Sequence, residues 1–198
     1  MLLAALLSAT NAAITTDSGT YDTANDLSAS QAVSTKVKAI VDLLDGTQAG
    51  INNAKTKYQE AENLKTLAED VCSRCTGVTT CASMKAVYDV SCFLTNYIDS
   101  IIDDTSLTAE ARSQWFRVAI QDGIPVQLAI SYMEEAAASA TASYWDKAAA
   151  VLLGTDADRG YAVYGRADGL ARDYGTLCLL YTSPSPRDAT LSRMPSSA

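Results

Sequence analysis

Between residues 132 and 174 the chain carries Tyr132, Glu134, Glu135, Tyr144, Asp146, Asp156, Asp158, Tyr161, Tyr164, Asp168, Asp173 and Tyr174. Phenolate and carboxylate are hard oxygen donors. They suit a hard cation such as ferric iron, whose charge draws off the phenol proton as a metal draws off that of a bound thiol. The same pattern has a second meaning, because tyrosines at helical spacing half-bury against a core and acids solvate an outer face. The residue types alone leave both readings open.

Other chemistry is closed off. The sequence has no histidine, so Ser-His-Asp and Cys-His machinery, H-E-x-x-H zinc sites and Glu-x-x-His di-iron sites cannot be assembled from it. No phosphate-binding glycine loop is present, and no acid–base pair stands out, so the chain reads as a non-enzyme. TDADRG, Thr155 to Gly160, begins like a calcium loop, but glycine stands where the third oxygen ligand belongs and the distal Glu is missing.

The stretch ATASYWDKAAAVLLGTDADRGYAVYGRADGLARDYGT resembles the core motif of the low-iron-inducible periplasmic proteins of algae, a family linked to iron assimilation and related to the phytotransferrins. That motif pairs Trp-Asp at the head of an apolar helix ending in Gly, then an acidic loop, then a Tyr followed by Ala-Asp and an aromatic-Gly-Thr ending. Trp145 and Asp146, Ala148 to Gly154, Tyr164, Ala167 and Asp168, and Tyr174 to Thr176 stand at the matching places, and the preceding VAIQDGIPVQLAISYMEEAAASA resembles the helix before the motif. The resemblance implies a ferric iron site with Tyr164 as phenolate donor, Asp146 and Asp168 as carboxylate donors, and Tyr144 in place of a missing histidine. There are departures. Ser143 and Tyr144 stand where the family has a His, Lys147 replaces a Glu and sets a cation beside the site, and the usual cysteine near Arg172 is absent.

Residues 178–198, CLLYTSPSPRDATLSRMPSSA, read as translated transposase sequencing adapter: Cys178 to Asp188 follow one adapter segment and Ser192 to Ala198 a second, in one frame. They are set aside, and the natural gene is expected to continue past Leu177. Without them the net charge moves from −8 to −9, since two arginines and one aspartate leave. So acidic a chain repels phosphate backbones, which argues against nucleic acid, and it admits metal cations.

Cys178 also leaves, so four cysteines remain: Cys72, Cys75, Cys81 and Cys92. Their C-x2-C-x5-C-x10-C spacing reads in an exported chain as two disulfides with three pairings open. A zinc site is the rival, but the second half lacks a matching C-x2-C and no histidine is available. Export itself is read from residues 1–13, an apolar run followed by small residues with cleavage sites after Ala12 or Ala13 and no basic start, so that the signal is minimal or begins at an internal methionine. An apolar N-terminal strand or helix is the other reading. The exported reading places the protein in a periplasm, in the medium or at the cell surface, with a cell-surface or membrane-anchored partner.

Residues 14–27 form a polar lead-in, and residues 28–177 form a helical domain interrupted between Cys72 and Cys81, where RCTGVTTC cannot sustain a helix and reads as a stapled turn. Val33, Val37, Ile40, Val41 and Leu44 make one stripe ending near Gly46. A second runs through Ile51, Ala54, Tyr58, Ala61, Leu64, Ala68 and Val71. A third resumes from Met84 through Ile98 to Ile102. Thr108 caps a helix expected to turn Trp115, Val118 and Ala119 inward. Asp122 to Pro125 should end that helix and start one reaching Gly154, and a last helix spaces Tyr161, Tyr164, Ala167, Leu170 and Tyr174. No strand pattern is evident. The expected fold is an all-α bundle of about five to seven helices stapled by disulfides. Its alternative role is that of a stapled surface or adhesion module without metal, marked by an uncovered apolar patch and by Tyr and Asp side chains that do not converge.

Overall fold

The computed structural model describes residues 14–16, 19–21, 26–74, 92–155 and 158–175. Residues 1–13, expected as a signal segment, residues 178–198, expected as adapter-derived, and Cys75, Cys81, Asp156 and the stretch Met84 to Ser91 lie outside the described residues. Eight α-helices are present among those described: α1 (Ser28–Val41), α2 (Gln48–Gln59), α3 (Leu64–Arg74), α4 (Phe93–Asp103), α5 (Ala109–Val118), α6 (Ile124–Ser139), α7 (Ala142–Leu153) and α8 (Val163–Asp173). A π-helical turn, Ala119–Gly123, joins α5 to α6 into one rod, and a 3-10 turn, Arg159–Tyr161, leads into α8. The described chain is therefore an all-α bundle of seven rods.

One small element departs from the helical reading. Within the polar lead-in, β1 (Ile14–Thr16) pairs antiparallel with β2 (Gly19–Tyr21), Ile14 opposite Tyr21. The β-branched run Ile-Thr-Thr favours extended backbone. At three residues per strand it is too short to stand out as alternation.

The α1 stripe packs as its spacing dictates. Val33, Val37, Ile40, Val41 and Leu44 are all buried, and they meet Ile51, Ala54 and Tyr58 of α2, Leu64 and Ala68 of α3, and Ile98, Ile101 and Ile102 of α4 in one core. Such removal of apolar surface from water is the main favourable term in folding. Gly46 closes the region after α1 at φ +83°. The following helix starts where Thr47 accepts from the Gly50 amide at 3.0 Å. Gly50 itself is required, since a Cβ there would lie 2.6 Å from the Leu43 carbonyl oxygen.

The second stripe is interrupted. The helix expected to run from Ile51 to Val71 divides into α2 and α3 at Asn63, which caps α3 by accepting from the Leu64 amide at 2.8 Å and donates to the Lys57 carbonyl at 2.8 Å. Glu62 takes a left-handed φ of 61° to make the bend, and Ala61 faces solvent. The alanine-rich run after Pro125 divides in the same way at Ala140, left-handed at φ 53°.

At Asp122 to Pro125 the helix widens and continues. Proline has no N–H, and its ring crowds the carbonyl four residues back, so a π turn absorbs the mismatch. Gly123 lies against α4 there, where an added Cβ would meet Leu94 at 3.1 Å. The expected orientation of α5 is corrected by its packing. Trp115 is 52% and Val118 45% exposed, whereas Phe116, Ala119 and Ile120 are buried. Phe116 turns inward to pack against Tyr58 in a T-shaped pair, ring centroids 5.8 Å apart, which leaves the neighbouring stripe outward. The cap on this helix forms as expected, Thr108 accepting from the Ala111 amide at 3.2 Å.

Cys72 on α3 and Cys92 before α4 form a disulfide. Of the three pairings the spacing allows, the one containing this bond joins Cys75 to Cys81. Among the described residues, no helix is long and apolar enough to cross a membrane.

Candidate functional site

The oxygen-rich segment is built as a hairpin of α7 and α8 that packs on α1 and α6. Alanines let α7 approach closely, with Ala148, Ala150 and Val151 buried. Gly154 ends α7 at φ +69°, against α1, where a Cβ would fall 2.8 Å from Ser34 Oγ and 2.8 Å from the Ala162 Cβ.

A row of polar contacts then fastens the connection to α1. The Thr155 amide donates to Ser34 Oγ at 3.1 Å, Thr35 donates to the Asp158 carboxylate at 2.6 Å, and the Tyr161 hydroxyl donates to Asp42 at 2.7 Å. The Lys38 ammonium also binds the Asp42 carboxylate and stands 5.1 Å from the centre of the Tyr161 ring. The hydrogen bond from Lys38, then that from Tyr161, holds the Asp42 carboxyl below its usual range. Donation to Asp42 raises the Tyr161 phenol, and the hydrogen bond to Asp42 raises Lys38. Farther on, Arg166 of α8 donates to Asp122 at 2.7 Å and to Gln121 at 3.3 Å, tying α8 to the π turn.

The four residues named from the sequence fall two on each helix. Asp146 of α7 is only 6% exposed, while its neighbour Trp145 is 51% exposed. Tyr144 stacks on Tyr132 of α6, ring centroids 6.3 Å apart at 27°. Tyr164 is half-buried near the start of α8. Asp168 accepts from Arg172 one turn on, at 3.0 Å from Nε and 2.9 Å from Nη2. The structure thus brings Tyr144 to Tyr132 and Asp168 to Arg172, on helices that adjoin.

No group of three or more His, Cys, Asp or Glu side chains that could hold a metal ion occurs among the described residues. Two participants were outside the four. Lys147 lies over both tyrosine rings, 4.9 Å from the centre of Tyr144 and 5.9 Å from that of Tyr132. These two are Lys147 and Tyr132, and the signal for the lysine is its three-residue step from Tyr144, which puts Tyr144 and Lys147 on one helix face.

No family model matches this chain, and no curated protein or solved structure matches it.

Proposed function

We propose that this chain is an exported, non-enzymatic, iron-assimilation-like protein that takes ferric iron as cargo through phenol and carboxylate oxygens of the α7–α8 hairpin. The observation that carries the reading is the shelter given to two acids there. Asp146 is 6% exposed, and the Asp168 side chain is 15% exposed on the helix packed beside it. Sheltered carboxylates are hard oxygen donors held out of bulk water, and Arg172 offsets the Asp168 charge. Tyr164 on α8 and Tyr144 on α7 supply phenols on the same two helices. The resemblance of residues 118 to 176 to the algal motif points the same way.

A second reading has its own support. Arg172 binds Asp168 and Lys147 stands over Tyr144, so the hairpin supplies cations from within. Trp115 and Val118 on α5, with Val126 and Ile130 on α6, leave apolar surface uncovered. These features suit a disulfide-stapled surface or adhesion module that needs no metal. Titration of the purified chain with chelated ferric iron separates the two. The iron reading expects a visible phenolate-to-iron charge-transfer band that is lost in Tyr164→Phe. A protein that stays colourless, or a band that survives Tyr164→Phe, leaves the second reading.

A further inference from the structure

Tyr132 joins Tyr144 and Lys147, both named above, in an arrangement of two rings about one ammonium. The two rings come from different helices, α6 and α7, and lie close to parallel with centroids 6.3 Å apart. Two neighbouring tyrosine rings within reach of one cation each offer it a negative π surface. The Lys147 ammonium occupies that position, within 4.9 and 5.9 Å of the two ring centres. It does so by a local route, because Lys147 follows Tyr144 by one helical turn and needs no distant element to deliver it. All three side chains are half-buried, so the ammonium is partly desolvated where it meets the rings, the condition under which cation–π attraction is strongest.

The geometry points to a cation-binding aromatic pair, Tyr132 and Tyr144, which Lys147 fills from within the chain and which takes a small organic ammonium ion when the lysine is removed. The ring faces select a weakly hydrated, diffuse cation of the methylated-amine class, because such an ion loses little hydration on meeting a π surface. Phenol oxygens are not needed for this binding. The inference therefore stands apart from the iron reading and can be measured without iron.

The test is tetramethylammonium binding to the full chain, followed by tyrosine fluorescence, for the wild type, Lys147→Ala and Lys147→Arg. Lys147→Ala should bind about five- to thirty-fold more tightly than the wild type, the size expected when a cation worth about 1–2 kcal/mol is removed. Lys147→Arg restores a resident cation and should block as the lysine does. Equal weak binding by all three would overturn the proposal. A readout that needs no variant is the proton spectrum of the wild type, where ring currents from the two tyrosines should move the Lys147 ε-methylene upfield. A shift at the value of a solvated lysine would likewise overturn it. If tetramethylammonium binds Lys147→Ala while ferric iron gives no colour, this inference stands and the iron reading falls; the opposite pair of results does the reverse.

Discussion

Gly154 lies against Ser34 so closely that a single added carbon would come within 2.8 Å of the Ser34 hydroxyl oxygen. The contact joins the end of α7 to the middle of α1 and sets where the following segment begins its descent along α1.

Gly154→Ala should therefore be severe. It adds a Cβ into the Ser34 and Ala162 contacts and imposes a side chain on a backbone at φ 69° and ψ −164°, a region that only glycine visits freely. The expected loss is about 2–4 kcal/mol in denaturant unfolding. A loss below about 1 kcal/mol would mean that the α1 contact is not tight.

The polar latch of Lys38, Asp42 and Tyr161 gives a pH signature. Asp42 titrates below its unfolded value, so its contribution is present above the ordinary carboxylate range near 3.8 and is lost as pH falls through the lower folded value. Lys38 titrates above its unfolded value, so its contribution is complete below 10.5 and is lost as pH rises through the higher folded value. The raised Tyr161 phenol adds to the alkaline loss, since ionising it opposes the folded contact. Asp42→Asn should cost about 0.5–1 kcal/mol at neutral pH, a surface value, with the difference from wild type shrinking in acid. Urea midpoints of both proteins across pH would show this, and a constant difference down to strong acid would contradict it.

Ala140→Gly is expected to stabilise. Ala140 holds a left-handed φ of 53° between α6 and α7, a position glycine fills without Cβ strain. The gain should be up to about 1 kcal/mol, reduced by the greater freedom of glycine in the unfolded chain. Thermal unfolding that moves downward would contradict the assigned backbone.

The disulfide predicts a specific peptide. Digestion without reduction should release Cys72 joined to Cys92, and the two-disulfide reading adds Cys75 joined to Cys81. Cys72→Ser with Cys92→Ser removes a cross-link over a sequence separation of 20 and should cost about 3 kcal/mol by the chain-entropy estimate. Recovery of Cys72 joined to Cys75 or Cys81 would contradict the fold at α3.

Much of the bundle is legible in the sequence where local chemistry decides it. The valine and isoleucine spacing of α1 predicts its buried face residue by residue, the Thr108 cap forms, and Gly154 stops α7. The breaks at Glu62 and Ala140 are not legible, because neither residue type signals a left-handed turn. Trp115 is misplaced for a different reason. Its stripe and that of Phe116 are both apolar, and only the approach of Tyr58 from α2 selects between them. At the site, the residue types on α7 and α8 are visible in advance. Their partners are less so, since Tyr161 reaches Asp42 across a sequence separation of 119 that no local pattern encodes.

The most direct test of the iron reading is a crystal structure of the chain equilibrated with ferric iron, with anomalous data collected at the iron edge. The account predicts one iron peak on the α7–α8 hairpin, with oxygens of Tyr164, Asp146 and Asp168 at about 2.0–2.3 Å, the short range of hard-cation coordination. An iron peak elsewhere, or no peak with Arg172 still bound to Asp168 and Lys147 still over Tyr144, would contradict it.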